Sequence, residues 1–573
     1  MGPDKGFSRT AFRGTVREDL LLPYPEVAGR ERAQLADVLQ QLEAFAADGI
    51  DPAEIDREGR LPERVIDGAR HLGLFGMTIP TAYGGAGLSA TASARVLEGL
   101  AAIDASLAVT VGAHQSLGVS GVLRHGTDAQ RDRYLPRLAG GRPIAGFAMT
   151  EPHAGSDASA VTTRAELTLD GEGYLVNGHK IWVTNGGLAD LFTVVARTSP
   201  PEGGAKPGLT TLLVERDTGV RTGPEQDKVG IRGASTTSLY MEDARIPASN
   251  VLGHAGRGLH VAVGILNEGR LALAAGCLGS SKRILRLAAD RCLQRRAFGR
   301  RIGDFEMVRK KLAHMACATY ALESMTYLTT GLIDAGLPDH ALESAACKIY
   351  GSETHFRLAH AALQIAGGSG YMCESPFQRL LRDARINSIF NGTNEVLRVF
   401  VALAGLQEVE TWSASEGPFS TPVKQVEALR ARAVQRVLAA VGRGRPPGVH
   451  SLLKGEWALL EENVARLASA AEHASRRYGR RVADRQLVLE RLADASIDIY
   501  GLAAVIARTT RAVEARGEEG ARRELDLARG HASLVRRRLR AALGDVDSAE
   551  DELLSQIAGQ TLDDAGYPLD VAR

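Results

Sequence analysis

Between about Pro25 and Gly140, apolar residues recur at intervals of three and four. Runs such as Leu35-Ala36-Asp37-Val38-Leu39 and Val96-Leu97-Glu98-Gly99-Leu100 carry the period of amphipathic helices. From about Ile144 to Gly253 the period shortens towards two, and Thr210-Thr211-Leu212-Leu213-Val214 and Thr237-Ser238-Leu239-Tyr240-Met241 predict short strands. In Tyr174-Leu175-Val176-Asn177-Gly178-His179-Lys180-Ile181-Trp182-Val183, the Asn-Gly pair tolerates positive φ and predicts the turn of a hairpin. The helical period returns over roughly 259–294, 304–333, 339–366 and 386–404, four long segments suited to a bundle. A polar stretch and the breaker Gly442-Arg443-Gly444-Arg445-Pro446-Pro447-Gly448 follow, after which Arg- and Ala-rich helices run from about Leu452 to Leu543. The pattern predicts a mainly α chain with a central β-domain: an α-domain over 1–143, a β-domain over 144–256, a four-helix bundle over 257–405, a linker over 406–450 and a second α-domain over 451–573.

At 573 residues the chain has room for three or four domains. Lys+Arg 69 against Asp+Glu 68 leaves a formal charge of +1, so no global field draws it to nucleic acid or an anionic surface. Five cysteines, Cys277, Cys292, Cys317, Cys347 and Cys373, lack any C-x-x-C spacing and are expected to be buried thiols in a reducing compartment, with no metal site. The first residues lack the apolar core of a secretory signal, and no run of about 18 consecutive apolar residues occurs. A cytoplasmic protein is therefore the expectation, without a transmembrane helix.

Three short segments carry chemistry. In Gly146-Phe147-Ala148-Met149-Thr150-Glu151-Pro152-His153-Ala154-Gly155-Ser156-Asp157 a strand opens into a loop whose glycines let backbone amides approach a planar ring. Lys180-Ile181-Trp182-Val183-Thr184-Asn185-Gly186-Gly187 sets an indole beside a hydroxyl donor. Arg295-Arg296-Ala297-Phe298-Gly299-Arg300 ends a predicted helix, offering guanidinium forks to phosphate and a phenyl face to an adenine.

Together with Gln364-Ile365-Ala366-Gly367-Gly368-Ser369-Gly370-Tyr371 and Ile389-Phe390-Asn391-Gly392-Thr393-Asn394-Glu395, these segments resemble the acyl-CoA dehydrogenases. The likeness is greatest to the very-long-chain branch. It runs from about Phe7 to Gln407, through Gly112-Ala113-His114-Gln115-Ser116 and Glu323-Ser324-Met325-Thr326-Tyr327, and resumes over Gln486 to Tyr500 in the extra C-terminal domain of that branch. The resemblance implies a β-barrel-like middle domain and FAD as cofactor. It implies that FAD meets Phe147, Met149, Thr150, Ser156, Trp182, Val183, Thr184, Arg295, Phe298, Gln364, Ile365, Gly367, Gly368, Thr393 and Glu395. Ser156, Asn267, Arg270 and Gly392 are implied to meet the acyl-CoA thioester. An electron-accepting flavoprotein and a homodimer sharing its flavin sites are also implied.

One residue departs from the family. The residue before the Gly-Thr pair is a glutamate there, the base that removes the substrate α-proton; here it is Asn391, whose conjugated amide has no basic lone pair. Some branches place the base immediately before an Arg-Leu pair, and that position is Gly269 in Asn267-Glu268-Gly269-Arg270-Leu271. Glu268, one residue earlier and about 100° around a helix, is a substitute to test. Three functions stay open: desaturation of a long-chain acyl-CoA with weak or altered activity, an inactive FAD- and acyl-CoA-binding scaffold or assembly protein, and another flavin-dependent oxidation.

Outside these motifs, Val423, Val426, Leu429, Ala433, Val437, Leu438 and Val441 recur at helical spacing among Lys424, Arg430, Arg432, Arg436, Arg443 and Arg445. Such a basic amphipathic helix suits either the inner face of a membrane, as in peripheral relatives, or a dimer contact. Arg476 to Arg481 and Arg536 to Arg538 are expected to be solvated helix faces, without nucleic acid as a partner.

Overall fold

The computed structural model describes residues 5–198, 208–415 and 448–569, so the predicted basic helix over 423–445 lies outside the described residues. The chain forms two compact units, one holding Tyr24–Asn394 and the other holding Lys5–Pro23 with the residues from Glu395 onward.

The first unit opens with helices whose ends are set by local capping. Ser89 accepts from the Ala92 amide to start Ala90–Ile103, and Asp104, extended at φ −147°, both ends that helix and caps Ala105–Ala113 through the Leu107 amide. The latter helix widens to a π turn over His114–Val119 before continuing as Ser120–His125, an irregularity that often marks functional sites. His114 is wholly buried there. Its Nδ1 accepts from the Ala145 N–H at 2.9 Å, so its Nε2 carries the proton and donates to the Phe75 carbonyl at 3.0 Å.

The β-domain is an eight-stranded sheet: β1 Ile144–Ala148, β2 Arg164–Leu167, β3 Gly173–Thr184, β4 Ala189–Thr198, β5 Gly208–Glu215, β6 Val220–Thr222, β7 Thr236–Pro247 and β8 Val251–Leu252. Its order is β6-β7-β3-β2-β4-β5-β8, with β1 parallel to β4. The hairpin predicted at Asn177-Gly178 does not form, because β3 runs straight through that pair and the register against β7 shifts there. Asn177 instead exchanges two hydrogen bonds with Asp243 across the bulge, at 3.0 and 2.8 Å, and Asp243 takes the positive φ of 50°. Glycine is required at 178 by a close approach, since a Cβ there would lie 2.3 Å from the Thr163 hydroxyl.

Three of the predicted bundle helices appear as Gly258–Gln294, Glu306–Asp334 and Ala341–Ala366, each within a few residues of the expected limits. Gly258–Gln294 is long and apolar enough to cross a membrane by composition alone, but it packs against Ala90–Ile103, Glu306–Asp334 and Ala341–Ala366 as a core element. The fourth differs. Pro376–Arg385 forms an unpredicted helix, residues 386–393 are a short turn and bends, and regular helix begins only at Asn394. The delay has a local cause, as Asn391 at φ 58° and Gly392 at φ 90° both lie in the left-handed region. Four of the cysteines are buried as expected, while Cys373 is exposed.

The second unit gathers the N-terminal arm with Lys454–Tyr478, Gln486–Gly520, Arg522–Gly544 and Glu550–Asp563. Phe7 and Phe12 are fully buried in it; the Phe7 ring centroid lies 5.9 Å from that of Tyr500, and Phe12 packs against Gly405. The predicted solvated run at 536–538 holds for Arg536 and Arg537. Arg538 turns inward and grips the carboxylate of buried Asp498 through two bonds of 2.7 Å.

Candidate functional site

Apart from Glu395, the residues singled out by sequence fall into three groups within the first unit. The loop after β1 is pinned by an ion pair inside the protein: Lys180, wholly buried on β3, donates to Glu151 at 2.7 Å and to the Met149 carbonyl at 3.1 Å. Glu151 also accepts from the amides and hydroxyls of Thr162 and Thr163 at 2.5 to 2.9 Å, closing a loop that leaves Ser156 exposed. Burial alone would raise the Glu151 carboxyl, but these donors outweigh it and hold the group down at about 2. Burial pulls Lys180 down to about 8, against the attraction of Glu151.

Two residues beyond Lys180, Trp182 sits on a bulge with φ 55° and is 66% exposed, in a strand whose neighbours Lys180 and Val183 are buried. The segment after it is anchored by buried Asn185, at φ 64°, which donates to the Thr110 and Ala145 carbonyls at 3.0 and 3.3 Å. Phe147, Met149 and Thr150 are half-buried beside this segment, and Thr150 accepts from the Ile181 amide at 2.9 Å. The exposed indole face beside a glycine-lined loop fits a planar ring such as isoalloxazine.

The second group lies where the helix Gly258–Gln294 ends. Residues 296–297 and 300–301 pair as a two-stranded hairpin whose turn is Phe298 at φ 51° and Gly299 at φ 78°, presenting a phenyl ring that is 94% exposed. Arg291, four residues before Arg295, donates to Ser369 Oγ at 2.9 Å and so holds the Gly367-Gly368 segment to this helix end. Gln364, Gly367, Gly368 and Arg295 are exposed and Ile365 is buried; a Cβ at Gly367 or Gly368 would meet nothing within 4 Å. Cationic and aromatic groups beside open glycine backbone fit the phosphates and purine of a dinucleotide.

The third group contains the anomalous residue. Asn391 is half-buried, its Oδ1 is withdrawn from solvent with no hydrogen-bond partner, and its side chain lies against Gly269. A Cβ at 269 would sit 2.7 Å from Asn391 Nδ2 and 2.7 Å from Leu117, which comes from the π turn. The two positions at which the family resemblance allows a base therefore converge on one point, and neither carries a carboxylate. Glu268, the candidate substitute, is engaged by other side chains. Its carboxylate pairs with Arg124 and lies 3.5 Å from His340 Nε2, whose pKa that carboxylate raises despite burial. Asn267 accepts from Arg270 at 2.6 Å, and burial brings the Arg270 guanidinium down to about 10.

Lys348 was missed by sequence reasoning. Wholly buried on Ala341–Ala366, it donates to the Gly392 carbonyl at 2.7 Å and to Asn394 Oδ1 at 2.9 Å, clamping the turn that carries Asn391. Its signal was a lone lysine in the apolar run Ala345-Ala346-Cys347-Lys348-Ile349, since an ammonium is rarely buried without partners. Thr393 is half-buried next to this turn, and Glu395, in the first turn of Asn394–Ser415, is exposed.

Comparison with known proteins identifies four family domains along the chain. The N-terminal, middle and C-terminal domains of acyl-CoA dehydrogenase match residues 33–142, 146–244 and 256–406, and the ACAD9/ACADV C-terminal domain matches 451–567. The mitochondrial very long-chain specific acyl-CoA dehydrogenase of Bos taurus is 37% identical over 519 residues, 89% of this chain and 79% of its own length. A probable acyl-CoA dehydrogenase of Bacillus subtilis is 34% identical over 477 residues, 80% of this chain and 77% of its own. Among solved structures, an acyl-CoA dehydrogenase complexed with FAD from Bacillus anthracis superposes with a TM-score of 0.81 at 30% identity, covering 93% of this chain and 90% of that one. Butyryl-CoA dehydrogenase from Megasphaera elsdenii gives 0.63 at 33% identity, covering 66% and 99%.

Proposed function

The chain belongs to the acyl-CoA dehydrogenase family of FAD enzymes, and from that membership we propose that it acts on a long-chain acyl-CoA thioester at a site whose proton-abstracting position is filled by Asn391. The match of residues 451–567 to the ACAD9/ACADV C-terminal domain supports the long-chain assignment. FAD, when bound, supplies the acceptor for the hydrogen that leaves the β-carbon as hydride. The protein's part is to bind the thioester, exclude water and hold a group against the α-carbon.

The observation that carries the proposal is the clamp on the Asn391 turn. Buried Lys348 holds the Gly392 carbonyl, and Gly269 leaves the room that the side chain at 391 occupies, so the apparatus for presenting a side chain is retained while its basicity is gone. A positioned general base contributes about 10² to 10⁴ in rate. α,β-Desaturation is therefore expected to be slow, with Asn391→Glu raising it by up to that factor. Anaerobic mixing with acyl-CoAs of graded length, following the oxidised flavin band, tests this; a band that stays unbleached at every length, in the wild type and in Asn391→Glu alike, would overturn it.

The engagement of Glu268 with Arg124 and His340 favours a second reading, an FAD- and acyl-CoA-binding scaffold that no longer turns over. In that case acyl-CoA perturbs the flavin spectrum of the wild type without bleaching it. An electron-accepting flavoprotein as redox partner belongs to the first reading. A homodimer is supported by the exposed Phe298 hairpin beside the Gly367-Gly368 segment, and sedimentation velocity of wild type against Phe298→Ser tests it.

A further inference from the structure

The residue that replaces the base is an asparagine followed by glycine, the pair whose side-chain amide is most open to attack by the next backbone nitrogen, because glycine has no Cβ to block the approach. We propose that Asn391 is a self-modification site, at which deamidation converts the amide into an aspartate and supplies the missing carboxylate. This rests on the reading of position 391 as the proton-abstracting position.

The step balances without an oxidant or reductant. The Gly392 nitrogen, having lost its proton, attacks Asn391 Cγ, and a C–N bond closes a five-membered imide while Nδ2 gains protons and leaves as ammonia. Water then adds at Cγ, the new C–N bond breaks, and the nitrogen regains its proton. The net change is amide plus water to carboxylate plus ammonia, with the main chain restored.

Four features of the turn favour it. Asn391 and Gly392 lie outside helix and strand with φ of 58° and 90°, so no regular ladder holds the attacking nitrogen. Among the described residues, no backbone hydrogen bond engages the Gly392 N–H. The Asn391 side-chain oxygen Oδ1 is buried without a partner, so it does not hold the carboxamide in its rotamer. Lys348 grips the far side of Gly392 through its carbonyl, keeping the turn in place before and after reaction. The product is also compatible with the site. Aspartate is isosteric with asparagine, so the contact with Gly269 persists, and a carboxylate partly withdrawn from water is a stronger base than an exposed one.

Trypsin releases residues 386–398 as one peptide, Ile-Asn-Ser-Ile-Phe-Asn-Gly-Thr-Asn-Glu-Val-Leu-Arg, which contains Asn387 before serine and Asn394 before glutamate as internal controls. The full-length native protein is held in warm, mildly alkaline buffer for days. Site-resolved mass spectrometry that separates aspartate from isoaspartate then follows the mass gain of amide-to-acid conversion. Aspartate is expected to accumulate at 391 roughly tenfold or more faster than at 387 or 394, since only 391 has a successor without a side chain. The proposal fails if the 391 amide persists in the native chain while a synthetic peptide of the same sequence converts, or if isoaspartate is the product, because that linkage reroutes the main chain. Anaerobic acyl-CoA titration of Asn391→Asp separates the two ideas. Conversion at 391 without bleaching by Asn391→Asp would leave the modification standing and remove the proposed dehydrogenase reading.

Discussion

Replacing Lys180 by methionine removes one charge from inside the β-domain while nearly preserving side-chain length. Glu151 is held at about 2 against an ordinary 4.5, a stabilisation of about 3 kcal/mol at neutral pH at about 1.4 kcal/mol per unit. Lys180 is pulled to about 8 from 10.5, an opposing penalty of similar size, so the intact pair is close to neutral overall. Its removal is not neutral. Lys180→Met leaves a 4%-exposed carboxylate facing only the Thr162 and Thr163 donors, and such stranded charges destabilise by about 3 to 5 kcal/mol. Glu151→Gln with Lys180→Met should recover most of that loss. Urea unfolding followed by tryptophan fluorescence gives the three differences, and a positive coupling of at least about 2 kcal/mol is expected. In the wild type the Glu151 contribution is present above about 4.5 and is lost as pH falls towards 2, the direction for a depressed acid. A Lys180→Met loss below about 1 kcal/mol, or strictly additive single and double variants, would refute the argument that this pair pins the loop bearing Ser156.

Other perturbations probe the turn and the core. Gly269→Ala should destabilise by about 1 to 3 kcal/mol through overpacking against Asn391 and Leu117; thermal melts that show no relief when Asn391→Gly is added would count against the observed contact. Lys348→Met frees the Gly392 carbonyl and should cost about 1.5 to 3 kcal/mol, the range for a charged hydrogen bond, with acyl-CoA affinity measured by calorimetry falling in parallel. His114 is pushed down to about 4 by burial, so it stays neutral in the folded chain while the unfolded chain takes up a proton below about 6.5. Stability should therefore fall as pH drops from 6.5 to 4, by up to about 3 kcal/mol from this group; urea midpoints at graded pH, compared with those of His114→Asn, read the difference.

Periodicity alone located the three long helices of the first unit within a few residues, because long amphipathic segments repeat their signal many times. The Asn177-Gly178 error has the opposite origin. A dipeptide that suits a tight turn suits a bulge equally well, and what decides is Asp243, distant in sequence, which closes the bulge from the neighbouring strand. The premature start assigned to the last bundle segment reflects the same limit, since apolar residues over 386–393 continue the period while Asn391 and Gly392 take positive φ. Local motifs named Trp182, Phe298 and Asn391. They could not show that Gly269 faces Asn391, that Glu268 is engaged by Arg124 and His340, or that a buried Lys348 holds the turn, because each is a contact between separate elements.

The discontinuous second unit has a consequence for how the chain is made. Its N-terminal arm, Lys5–Pro23, leaves the ribosome before the rest of its unit, and the helices that bury Phe7 and Phe12 follow only after the 371 residues of Tyr24–Asn394. At about 5 to 20 residues per second, that is a wait of roughly 20 to 75 seconds with two phenyl rings uncovered. The arm is thus a natural handle for a chaperone during synthesis, and a nascent chain stalled before Glu395 would expose it indefinitely.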